Sequence, residues 1–154
     1  MQKKKALSPT WYVVANRTDA VFYVEGRDLQ FHFVDRLANK TGDLREAGLV
    51  SDRPGTGLSS TGSGALRHGL AGRTTHHELL ALKFARKIAS SLKVARNRKR
   101  FGQLVLVAEP HFMGLLKGAL DAGTTRTISH EVGHEYAQGS DSKVRSQIMQ
   151  AIQA

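Results

Sequence analysis

Leu104-Val105-Leu106-Val107-Ala108-Glu109-Pro110 decides the architecture of this chain. An unbroken apolar run is what a strand covered on both faces requires. Glu109-Pro110 then opens a helix, with Pro110 near the first helical position, where a missing N–H is tolerated. A buried strand feeding a helix is half of a crossover unit, so the chain reads as an α/β sheet with crossover helices.

The segments on either side agree. Downstream, Phe112, Met113, Leu115, Leu116, Ala119 and Leu120 make the helix apolar, and Gly123 is expected to stop it. Residues 125–132 read as another strand. Ser140-Asp141-Ser142 caps a last helix carrying Val144, Ile148 and Ile152 at i, i+4 and i+8. Upstream, Thr75-His76-His77-Glu78 has capping-box spacing and marks a helix start. Ala81, Phe84, Ala85, Ile88, Leu92 and Ala95 form its apolar stripe, and Lys83, Arg86, Lys87 and Lys93 lie largely opposite. This helix is expected to end near Asn97.

Three short strands precede it. Residues 11–15 are aromatic and β-branched, Asn16-Arg17-Thr18-Asp19 turns, residues 20–25 continue, and Gly26-Arg27-Asp28 turns again. Residues 29–37 then alternate, with Leu29, Phe31 and Phe33 on one side and Gln30 and His32 on the other, the pattern of a half-buried meander. Residues 38–74 lack periodicity and read as a long glycine-rich loop. The expected fold is therefore a mixed sheet of about five strands with three helices, in the order β-β-β, long loop, α-β-α-β-α. It forms one α/β domain over 10–154, behind a basic tail at 1–9.

The chain has 154 residues and a net charge of +10, and the charge is local. Residues 51–100 hold eleven Lys/Arg against two acids, Asp52 and Glu78, and so carry +9 of that total. The same stretch contains Gly55-Thr56-Gly57-Leu58-Ser59-Ser60-Thr61-Gly62-Ser63-Gly64. Glycines allow close backbone approach to a phosphate, and a one-sided positive potential attracts polyanions. Gly62, Ser63, Gly64, Arg67, Arg73, Lys83, Arg86, Lys87, Arg98, Lys99 and Arg100 are thus the expected RNA- or phosphate-binding residues, with Lys93 and Arg96 beside them. Aromatic content is only 6%, so phosphate and shape contact is expected over base reading.

Other chemistries are weaker. The absence of cysteine excludes disulfides, thiolate metal sites and cysteine nucleophiles. No Gly-Lys-Ser/Thr follows the glycine loop, which is therefore not a P-loop. Ser59, Ser60 and Ser63 lack a nucleophile-elbow context, and Asp52 and Glu109 have no partner carboxylate in sequence. His130-Glu131-Val132-Gly133-His134 fits the zincin pattern H-E-x-x-H, which on a helix would place His130 and His134 on one metal. Thr124-Thr125-Arg126-Thr127-Ile128 instead favours a strand running into it, on which the two histidines would stand ~13 Å apart. A metal or phosphate site at His76-His77 is set against a solvated first turn. No cofactor is expected. No apolar run approaches the ~18–20 residues of a membrane helix, and Lys3-Lys4-Lys5 is not followed by a signal-peptide core. A cytoplasmic protein without a membrane partner is expected.

With these residues in hand, the chain resembles the host attachment protein family, known as required for attachment to host cells. The likeness rests on Trp11-Tyr12-Val13-Val14-Ala15, Ala20-Val21-Phe22-Tyr23 and Ser51-Asp52-Arg53-Pro54-Gly55. It continues through Phe84-Ala85-Arg86-Lys87-Ile88-Ala89 and Leu104-Val105-Leu106-Val107-Ala108-Glu109-Pro110 with Phe112, Gly114 and Leu115. It weakens at Gly133-His134-Glu135-Tyr136. That family is similar to the middle domain of archaeal and eukaryotic peptide-chain release factors, which carries a Gly-Gly-Gln loop followed by Ser-Ala-Leu-Arg and a basic helix. Thr61-Gly62-Ser63-Gly64-Ala65-Leu66-Arg67 overlays it, with Ser63 at the glutamine. Without that glutamine, peptidyl-tRNA hydrolysis is not implied. The resemblance implies a non-enzymatic RNA- or ribosome-binding accessory protein. An attachment or surface-polysaccharide role stands as the alternative, and a peptidyl-tRNA or zinc hydrolase as the third.

Overall fold

The computed structural model describes residues 8–39, 63–134 and 141–153, with side chains in the long helix described from 76 onward. The elements are β1 (Thr10–Ala15), β2 (Asp19–Glu25), β3 (Phe31–Ala38), α1 (Ser63–Asn97), β4 (Gln103–Val107), α2 (Pro110–Ala119), α3 (Ala122–Thr125), β5 (Ile128–Val132) and α4 (Asp141–Gln153). One five-stranded mixed sheet has the order β3-β2-β1-β4-β5. The first three strands form the antiparallel meander, and β1, β4 and β5 run parallel. This is the expected α/β class.

The central strands are apolar because both their faces are covered. On one face Trp11, Val13, Phe22, Leu104 and Leu106 pack with Ala81, Phe84, Ala85, Ile88 and Leu92 of α1 and with Phe112 and Leu116 of α2. On the other, Tyr12, Tyr23, Phe31, Val105, Val107 and Val132 pack with Val144 and Ile148 of α4. Polar contacts fasten α4: Tyr23 Oη donates to Asp141 Oδ1 at 3.0 Å, and Tyr12 Oη donates to Glu25 Oε2 at 3.0 Å beside Arg145. Burial foremost, and then the hydrogen bond to Asp141, push the Tyr23 hydroxyl up to about 12. Glu109 caps α2, accepting from the N–H groups of His111 and Phe112 ahead of Pro110. That is the reading made from Glu109-Pro110.

Four local expectations are corrected. Helix α1 begins at Ser63, so residues 63–74 are helical rather than loop, and Thr75 lies inside the helix instead of capping it. Gly64, Gly69 and Gly72 each cost a helix ~1 kcal/mol, but Ala65, Leu66, Leu70 and Ala71 favour it. The remainder of the expected loop, 40–62, lies outside the described residues, as do 1–7 of the tail.

Helix α2 ends at Ala119, and a fourth, four-residue helix, α3, follows it, with Gly123 inside. A Cβ on Gly123 would come within 2.6 Å of the Arg96 guanidinium, so the glycine makes room for that side chain rather than stopping a helix. Finally, the alternation in β3 breaks. Tyr23 pairs with Phe33 and Phe22 with Asp35, leaving Val34 as a bulge. Phe31 is buried, whereas Leu29 and Phe33 are 59% and 60% exposed. Leu29 occupies a left-handed turn position at φ 59°, with its N–H donating to the Gly26 carbonyl.

The covered sheet makes core truncation costly. Leu106→Ala, at a side chain with no exposed surface, should lose about 2–5 kcal/mol in denaturant unfolding. Phe33→Ser should change stability by less than about 0.5 kcal/mol.

Candidate nucleic-acid interface

Helix α1 is oriented by its apolar stripe. With Ala81, Phe84, Ala85, Ile88, Leu92 and Ala95 against the sheet, the 3.6-residue period turns Lys83, Arg86, Lys87 and Lys93 outward. All four are exposed, as are Arg98, Lys99 and Arg100 beyond the helix end. Among the described residues, Lys83, Arg86, Lys87, Lys93, Arg98 and Lys99 make no ion pair. Three carboxylates of this region are already paired. Glu78 holds His111 at 2.6 Å, Glu131 holds Lys117 at 2.8 Å, and Asp121 holds Arg96 at 2.8 Å.

The helix end shapes the cationic cluster. The Lys99 N–H donates to the Arg96 carbonyl, and the Arg100 N–H to the Ala95 carbonyl. Lys99 sits at φ 58°. These are the two bonds and the left-handed residue of a Schellman cap, a position usually held by glycine. The reversal folds Arg100 back, its guanidinium 5.1 Å above the Trp11 ring. Trp11 is fixed in turn by Phe101, whose ring centroid lies 5.1 Å away. A mobile arginine is thereby held in place by an aromatic floor and a backbone cap.

Arg96 differs from its neighbours. Its Nη2 donates to Asp121 and its Nε to Thr124 Oγ1 at 3.2 Å, which ties α1 to α3. The hydrogen bond with Thr124, followed by the Arg96 charge, holds the Asp121 carboxyl below its ordinary 3.8. Arg96 is thus a structural cation, although its position in a basic run suggested phosphate contact.

The remaining expected residues separate clearly. Ser63, Gly64, Arg67 and Arg73 lie on the first turns of α1, and Gly62 lies outside the described residues. His130 and Glu131 lie on strand β5, and His134 follows that strand, so the H-E-x-x-H run has no helix on which to converge. Among the described residues no group of three or more His, Asp or Glu side chains is placed to hold a metal. His76 and His77 stand edge to face at 6.4 Å. Among the described residues no helix is long and apolar enough to cross a membrane.

The family described as "Protein required for attachment to host cells" matches residues 11–148. No curated protein matches the chain. A solved structure titled "Archaeal protein" aligns with 94% of this chain at 9% identity and a TM-score of 0.45. The chain spans 38% of that protein's length.

Two predictions follow from the helix end. Lys99→Gly relieves a left-handed non-glycine residue and should raise unfolding stability by about 1 kcal/mol. Asp121 has a lowered folded pKa, so it stabilises the protein above pH 3.8 and loses that effect as pH falls through the folded value. Asp121→Asn should therefore lower Tm at neutral pH, and the gap to the parent should narrow in acid.

Proposed function

This chain belongs to the family of proteins required for attachment to host cells, and we propose that it binds RNA, free or on the ribosome, without acting on it chemically. The observation that carries this reading is the set of six exposed cations at Lys83, Arg86, Lys87, Lys93, Arg98 and Lys99, none of them ion-paired among the described residues. Unpaired surface cations are free to exchange counterions for phosphates, and that exchange is the main source of sequence-independent affinity. Along one helix face they follow a polyanionic backbone, while the Schellman cap adds a compact cluster at the end.

The likeness of Thr61-Gly62-Ser63-Gly64-Ala65-Leu66-Arg67 to the release-factor segment supports a ribosomal setting, with residues 63–67 helical here. Ser63 at the glutamine position argues for binding rather than hydrolysis. A partner of this kind implies a cytoplasmic location.

The family description itself favours a second reading, in which the chain serves attachment directly or through surface polysaccharide. Glycan retention that is indifferent to Arg98 and Lys99 would select that role.

Binding of a labelled single-stranded RNA, followed by anisotropy across a salt series, tests the first reading. With about five phosphates neutralised, log K should fall against log salt with a slope of roughly −3 to −4. The double variant Arg98→Glu/Lys99→Glu should weaken binding at least about tenfold at low salt. Affinity that is unchanged from about 50 to about 500 mM salt contradicts the phosphate account.

A further inference from the structure

A cleft of about 320 Å³ lies between the last turns of α1 and the β2–β3 edge of the sheet. That size is at the lower end of small-ligand sites, which run from ~300 to ~1,000 Å³. Among the described residues, α1 and α2 cover the inner strands of this face and leave its outer margin open. The bulge in β3 then changes what that margin offers. Strict alternation would send Val34 and Asp35 to opposite faces. With Val34 unpaired and Asp35 opposite Phe22, both line the cleft.

Its chemistry is mixed in a specific way. Ser90, Ser91 and Arg98 form the helix wall, and Arg100 lies at the end over Trp11. Trp11 is only 5% exposed, so a ligand meets the guanidinium rather than the indole. The Arg100 guanidinium, held 5.1 Å from the Trp11 ring centroid, is a planar cation on which a nucleobase can stack. Across the cleft stands the exposed carboxylate of Asp35. Its Oδ1 accepts from the Arg36 N–H at 2.8 Å, and the carboxylate retains acceptor capacity on both oxygens.

An ionised carboxylate offers acceptors only. Among the common bases, guanine alone presents two adjacent donors, N1–H and N2–H₂, on its pairing edge. Uracil, cytosine and adenine each set at least one acceptor beside their donor there. We infer that this cleft takes one unpaired guanosine of a bound RNA strand. Arg100 stacks the base, Asp35 accepts from N1–H and N2–H₂, and Arg98 holds the adjoining phosphate. Ser90 and Ser91 hydrogen-bond the ribose. The inference rests on the RNA-binding reading above and adds base selection to it. An acidic residue inside a cationic face weakens plain phosphate attraction, so its position is informative about selectivity.

The test uses the whole chain and two labelled strands, a uridine oligonucleotide about nine nucleotides long and the same strand with one central guanosine. The guanosine strand should bind about tenfold more tightly. Asp35→Asn, at an exposed edge position that leaves the core intact, should erase this preference, with the uridine strand bound at least as tightly as by the parent. Equal affinity of the parent for both strands overturns the guanosine site and leaves the RNA reading standing. A preference that survives in Asp35→Asn likewise overturns it. Failure of both strands to bind overturns both inferences.

Discussion

The contact between the apolar stripe of α1 and the sheet fixes the orientation of the charged groups from Glu78 to Arg96. Ile88 and Leu92 have no exposed surface, and Phe84 and Ala95 have almost none. Burial of such side chains stabilises by roughly 1.5–3 kcal/mol each, far more than any surface charge term. The helix therefore cannot rotate to bring its exposed cations onto further carboxylates. Arg96 reaches Asp121, and Glu78 is engaged with His111. Among the described residues, Lys83, Arg86, Lys87 and Lys93 are left without an ion pair, because apolar burial prevails over charge pairing.

Two unusual backbone features lie beside this face. Lys99 takes a left-handed conformation at a helix cap, and β3 bulges at Val34. The first folds Arg100 onto Trp11, and the second carries Asp35 to the α1 side of the sheet. Each departs from the most stable local solution, a glycine in one case and a regular ladder in the other. Local departures of this sort cluster where a surface has a task beyond folding. Here both border one cleft.

The sequence was legible where burial leaves a periodic mark. The run 104–108, the Glu109-Pro110 start and the stripe from Ala81 to Ala95 each imply one arrangement, and the sheet has it. Legibility failed where the determinant is a single backbone angle or a distant partner. No glycine marks the cap at Lys99. The bulge was missed because the alternation Leu29, Phe31, Phe33 against Gln30, His32 was carried on past Phe33, although apolar Val34 and polar Asp35 depart from it. Gly64, Gly69 and Gly72 disguised the first turns of α1 as loop. Arg96 looked like one more surface cation because Asp121 is 25 residues away. At the site, the cations were found by counting charge. The acidic member, Asp35, was missed because it belongs to a strand far from the basic segment.

Lysine acetylation footprinting of the protein with and without single-stranded RNA tests the central claim most directly, since it reads which face is occupied. The account predicts protection of Lys83, Lys87, Lys93 and Lys99. Lys117, paired with Glu131, and Lys143, on α4 across the sheet, should acetylate at the same rate in both samples. Protection at Lys143 with Lys83, Lys87, Lys93 and Lys99 left reactive would place the ligand on the opposite face and contradict the account.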